Sequence, residues 1–123
     1  MENMYTGYVL PLTSDPWQVM TVDVCLDGMD FHAQVEVRYL PAADQWFVSI
    51  WDHASGELLV NMIPLICSSP EAPNDLLAPF RFLRNGKGLG SLFCLRGTEE
   101  TSTPDPAEGN LGEFRILWCD TGN

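Results

Sequence analysis

Between Phe31 and Tyr39 the chain alternates without a break: Phe31, Ala33, Val35, Val37 and Tyr39 are apolar, and His32, Gln34, Glu36 and Arg38 lie between them. Successive side chains of a strand point to opposite faces, so a period of two means one buried face and one wet face. The stretch Trp17 to Leu26 has the same period, with Met20, Val22, Val24 and Leu26 on one face. Asp27-Gly28-Met29-Asp30 between them reads as a hairpin loop, because Gly28 accepts a positive φ at no steric cost. The chain is expected to open as an antiparallel β-meander. With no catalytic signature on it, such a scaffold suits a binding or assembly module.

The remaining segments extend this pattern. Tyr8-Val9-Leu10 is a short apolar strand closed by Pro11, and Leu12 to Pro16 is turn chemistry. After a turn at Pro41-Ala42-Ala43-Asp44, Gln45 to Asp52 forms a third long strand. Trp46, Val48 and Ile50 are on one of its faces, and Phe47, Ser49 and Trp51 on the other. Leu58 to Cys67 resumes the sheet, with Pro64 marking an edge, a bulge or a break, since proline cannot donate to a ladder. Ser68 to Asn74 is loop, and Asp75 caps a brief helical turn over Leu76-Leu77 that Pro79 ends. Phe80 to Leu83 reads as a strand fragment and Asn85 to Gly90 as a glycine-rich turn. Ser91 to Arg96 and Phe114 to Cys119 are the closing strands. The expected fold is all-β, a small antiparallel barrel or sandwich in a single domain spanning 1–123. Residues 1–7 form an N-terminal arm, and 97–112 a long acidic, proline-rich loop, functional or mobile.

Composition bounds the function. An apolar fraction of 46% is too rich for disorder, and no apolar run approaches the roughly 18 residues that cross a bilayer. The N-terminus lacks the charged and apolar regions of a signal peptide, so synthesis in the cytoplasm without export by a signal peptide is expected. Seventeen acids against six bases give a net charge of −11. Residues 1–80 carry eleven acids and one base, a net of −10; residues 81–123 carry six acids and five bases, a net of −1. Such a surface repels a phosphate backbone, so direct nucleic-acid binding is not expected. Cys25, Cys67, Cys94 and Cys119 include no CxxC pair, which speaks against a structural zinc site. Unpaired core thiols are expected instead.

No catalytic set emerges. His32 lies on the outward face of its strand and His53 in a turn, and no G-x-S-x-G elbow is present. Asn85-Gly86-Lys87-Gly88-Leu89-Gly90 lacks the Walker pattern and the helix that would follow it. Asp27 to Asp30 offers too few oxygens for a calcium loop. No metal or cofactor is expected. Two features point to partners. Arg81, Arg84, Lys87 and Arg96, four of the six bases, fall within sixteen residues and would suit an acidic neighbour, including another copy of the chain. Trp46 and Trp51, five apart on one strand, project from opposite faces, so one is expected to meet a partner.

The order of landmarks adds to this reading. Pro11-Leu12 and Asp15-Pro16 precede a strand and the Gly28 hairpin. A strand ending in Tyr39, then Trp46-x-Val48-x-Ile50-x-Asp52, a Gly56 turn and Ile63-Pro64-Leu65 follow. Asn74-Asp75-Leu76-Leu77, a glycine turn with a strand, and Asn110-Leu111-Gly112 complete the series. Over residues 8–119 this resembles the baseplate plug family of tailed bacteriophages, small proteins of contractile tails with simple baseplates. The insert around Pro104 and Pro106 is longer than that pattern. The resemblance implies a non-enzymatic virion component at the centre of the tail tip, which plugs the tube or joins it to the hub. Its partners would be other baseplate, hub and tube proteins, with homo-oligomers in the assembled tail. The alternative is a cytoplasmic small-ligand-binding β-barrel, which would show a closed apolar cavity with a few inward polar groups.

Overall fold

A computed structural model of the chain describes residues 7–68, 73–80, 82–83, 88–96 and 103–121. Within them the protein is all-β. Its strands are β1 (Gly7–Val9), β2 (Trp17–Leu26), β3 (Met29–Leu40), β4 (Gln45–Asp52), β5 (Leu58–Pro64), β6 (Ser91–Arg96) and β7 (Phe114–Cys119). They form a four-stranded sheet of order β2-β3-β4-β5 and a three-stranded sheet of order β1-β7-β6. All the strand pairs are antiparallel. The two sheets do not close into a barrel; they pack as a sandwich. This resolves the expected choice between barrel and sandwich.

The hairpin between β2 and β3 is tighter than the four residues expected. Only Asp27 and Gly28 turn, with φ of 53° and 82°, and Met29 and Asp30 already pair with Leu26 and Cys25. Two positive φ values in succession match the right-handed twist of the flanking strands. The inward faces follow the period of two. Val22, Val24 and Leu26 of β2, Phe31 to Tyr39 at alternate positions of β3, and Trp46, Val48 and Ile50 of β4 are all buried. They meet Leu92 and Cys94 of β6 and Phe114, Ile116 and Trp118 of β7 in one core. Phe31 and Trp118 join the two sheets edge to face, with ring centroids 6.0 Å apart.

Polar groups inside this core are satisfied. The Trp118 indole N–H donates to the Leu89 carbonyl at 2.7 Å and that of Trp46 to the Ala107 carbonyl at 2.6 Å. The second of these fixes the described part of the long loop. There Pro106 and Leu111 are buried, and Asp105 Oδ1 accepts the Cys67 N–H at 2.8 Å. The expected loop is therefore, over 103–112, a lid on the core; its first part, 97–102, lies outside the described residues, as do residues 1–6 of the expected arm.

β5 shows why a proline sits in it. It is an edge strand that ends at Pro64 and pairs irregularly with β4. Met62 takes a φ of 52°, and its N–H donates to the Ser49 hydroxyl at 2.9 Å. Ser49 is on the outer face as expected, yet it is buried, with its hydroxyl bonded to the bulged edge strand. From β5 the chain crosses to the other sheet, where Cys67 bridges Cys94 in parallel. Asp75 then ties the loop to β6: its Oδ1 accepts the Leu77 and Leu92 N–H groups at 3.0 and 3.1 Å, and its Oδ2 the Ser91 hydroxyl at 2.8 Å. The expected strand fragment over Phe80 to Leu83 does not form. Ala78–Phe80 is a 3-10 turn and Phe82 and Leu83 are turn residues, and among the described residues no strand pairs with them to complete a ladder.

One predicted placement is corrected by the alternation rule. Apolar neighbours point to core cysteines, and Cys94 is buried, but Cys25 is exposed. On a strand, apolar neighbours on both sides place the residue between them on the other face. Val24 and Leu26 face in, so Cys25 faces out; Leu92 and Cys94 face in, and Phe93 and Leu95 stay half-buried.

Candidate interaction surface

The outer face of the four-stranded sheet is set by register. β3 contributes a polar column of Asp30, His32, Gln34, Glu36 and Arg38. On one side lie Trp17, Val19, Thr21, Asp23 and Cys25 of β2, and on the other Phe47, Ser49 and Trp51 of β4. Trp17 stands opposite Arg38, which stands opposite Phe47 and, beyond it, Pro64. Two rows further along, Thr21, Gln34, Trp51 and Leu58 align.

The apolar members of this face concentrate at the open edge. Trp17 is 60% and Val19 55% exposed, and Leu58 at the opposite edge is also exposed. Phe47 and Trp51 are half-buried. Trp17 is nevertheless held in place. Its indole N–H donates to Glu36 Oε2 at 2.5 Å, and the Arg38 guanidinium lies 5.1 Å from its ring centroid. Asp15 Oδ1 accepts its backbone N–H at 3.2 Å. An exposed tryptophan with a fixed ring loses little conformational freedom on docking, which is what an anchor residue needs.

Trp46 and Trp51, the two tryptophans that the alternation puts on opposite faces of β4, are separated by the structure. Trp46 is fully buried and has no surface left to present, whereas Trp51 keeps part of its ring on the outer face. Trp17 and Val19 were missed as surface candidates, although the alternation that put Met20 and Val22 inward also puts Trp17 and Val19 outward. Of the basic cluster, Arg96 is exposed at the end of β6; Arg81, Arg84 and Lys87 lie outside the described residues, as does the Asn85 to Lys87 part of the glycine-rich turn.

The histidines sit at the hairpin end of this face. His32 and Asp23 are cross-strand partners, and His32 Nδ1 pairs with Asp23 Oδ1. The ring of His53 packs edge-on against His32 with centroids 4.7 Å apart. Beside them Asp23, Cys25, Asp30 and His32 line a shallow open recess with Val24 and Phe31. Among the described residues no group of three or more such side chains is arranged to hold a metal ion, and no helix is long and apolar enough to cross a membrane.

A protein-family model described as "Cyanophage baseplate Pam3 plug gp18" matches residues 8–121. No curated protein matches the chain. The matched span takes in both sheets, the crossing at Cys67, the lid over Trp46 and the outer face that carries Trp17 and Trp51. The chain thus belongs to the baseplate plug family, and its role is that of a structural component of a phage tail baseplate.

Proposed function

We propose that the chain is a non-enzymatic part of the virion that plugs the tube or joins it to the hub at the tail tip, docking through the outer face of its four-stranded sheet. The observation that carries this reading is the pair of apolar anchors at the open edge of β2, Trp17 and Val19, 60% and 55% exposed. With half-buried Phe47 and Trp51 beside them, they leave more aromatic surface than the core uses. Clustered apolar surface on a small domain marks a contact site. The polar column of β3 runs through the patch and gives it the mixed character of an interface that must also be soluble before assembly. Arg81, Arg84, Lys87 and Arg96 supply a second contact, for an acidic neighbour that their charge steers into place. A chain of net charge −11 lining a DNA conduit would not hold the passing polyanion.

The test is complementation of a phage that lacks the gene. Two double variants are compared, Trp17→Ala with Trp51→Ala, and separately Arg84→Glu with Lys87→Glu, and circular dichroism of each isolated chain checks that it keeps its β-sheet spectrum. Each pair should lower the yield of infectious particles at least tenfold, with the variant chain missing from purified tails. Normal infectivity and a normal content of the tryptophan variant would show that the outer face does not dock. The same result for the charge variant would reduce the basic cluster to charge balance.

A further inference from the structure

Cys67 and Cys94 lie side by side where the chain leaves the four-stranded sheet and meets the edge of β6. They are partners in an isolated parallel bridge. Ser68 N–H donates to the Cys94 carbonyl at 2.9 Å, and Cys67 N–H donates to Asp105 Oδ1, so the backbone on the Cys67 side is fixed at two successive residues. The two Sγ atoms are 3.4 Å apart, and both residues are free thiols. A disulfide requires facing Cβ atoms about 4 Å apart. Cβ positions are set by the backbone, which the bridge holds side by side, and side-chain rotation can carry the sulfurs from 3.4 Å to the bonding distance of about 2.0 Å.

We propose that Cys67 and Cys94 form a reversible cross-linking site, which a low-molecular-weight disulfide converts into an internal disulfide between the β5–β6 crossing and β6. Cys67 is the entry point because it is half-buried, whereas Cys94 is buried. The Cys67 thiolate attacks one sulfur of the small disulfide, whose S–S bond breaks and whose second sulfur leaves as a thiolate and takes up a proton. The Cys94 thiolate then attacks Cys67 Sγ in the mixed disulfide. The Cys67–Cys94 bond forms, the mixed bond breaks, and a second small thiol leaves with the other proton. Two protein thiols lose two electrons and the small disulfide gains them. Burial pushes both thiols above their ordinary range, so the thiolate is scarce at neutral pH and exchange is slow there.

The cross-link would join the segment following the four-stranded sheet to the three-stranded one, so it acts on the whole sandwich. The chemistry belongs to the chain alone and stands independently of its place in the particle. It is tested on the full chain carrying Cys25→Ser, which removes the exposed thiol. The chain is incubated with oxidised glutathione, then unfolded, alkylated, weighed and peptide-mapped. The expected product is two mass units lighter than the reduced chain before alkylation. It contains a linked Cys67–Cys94 peptide and alkylates only at Cys119. Its Tm is raised by about 10 °C, and dithiothreitol reverses the change. The rate should rise about tenfold per pH unit between pH 7 and 9, following the thiolate fraction. Three alkylated thiols after oxidation, a link that includes Cys119, or glutathione left on Cys67 would overturn the proposal. With Cys94→Ala added, Cys67 should stop at the glutathione adduct; an unmodified Cys67 would overturn the assigned order of attack.

Discussion

Single residues decide where the sandwich tolerates change. Gly90 and Gly28 both have positive φ, 77° and 82°, but their surroundings differ. A Cβ on Gly90 would lie 2.5 Å from the Cys119 carbonyl oxygen and 2.9 Å from Leu26 Cδ2, whereas one on Gly28 would meet nothing within 4 Å. Gly90 is the point at which the segment entering β6 presses against both the end of β7 and the end of β2. Gly90→Ala is expected to cost about 3 kcal/mol, combining left-handed strain with displacement of backbone. Gly28→Ala should cost only about 1 kcal/mol, the strain alone. Urea denaturation of the two variants measures the difference, and equal costs would show that the Cys119 contact relaxes freely.

At the scale of elements, β5 depends on a side chain from its neighbour. Ser49 provides the acceptor that the Met62 N–H loses where the ladder slips. Ser49→Ala should destabilise the protein by about 1–2 kcal/mol, because a half-buried donor is left without a partner. Amide exchange should quicken in β5 while β2 and β3 keep their protection; uniform acceleration across the sheet would place the effect elsewhere. This bulge also marks the limit of what was legible in the sequence. Strict alternation defined β2, β3 and β4, because a half-buried strand imprints its period directly on the residues. Pro64 revealed that its strand was irregular, but not that Ser49 would fill the gap. Phe80-Arg81-Phe82 alternates like a strand, but so short a run cannot tell a strand from a turn packed on a core. The outer anchors Trp17 and Val19 were written in the same alternation as the core, but tryptophan and valine on a wet face are visible only when the inward set is fixed first. The approach of Cys67 to Cys94 was not legible at all, since it arises from a crossing between sheets.

For the molecule as a whole, several acids hold their protons more tightly folded than unfolded. Burial raises Cys67, Cys94 and Cys119 above the ordinary thiol value of 9.0. The hydrogen bond from the Tyr39 hydroxyl to Asp44 Oδ1, 2.5 Å long, helps to push that phenol from 10.0 up to about 12. Groups shifted upward in this way favour the folded state fully below their unfolded values, and that contribution is lost as pH rises through the folded ones. The protein should therefore weaken from about pH 9 as unfolded thiols ionise, and further between pH 10 and 12 as unfolded Tyr39 does. Urea midpoints measured from pH 8 to 11.5 should fall over both intervals, and a flat profile would refute the linkage. A different consequence follows from the order β1-β7-β6. The middle strand of this sheet is the last to be made, and Tyr8 pairs with Trp118. While the ribosome is still extending the chain, the β2 to β5 meander can already close on local hairpins, but β1 and β6 have no common partner. The sandwich is thus completed only when translation has reached Cys119, so a nascent chain stalled before Phe114 exposes the inner face of the meander for the whole of its wait.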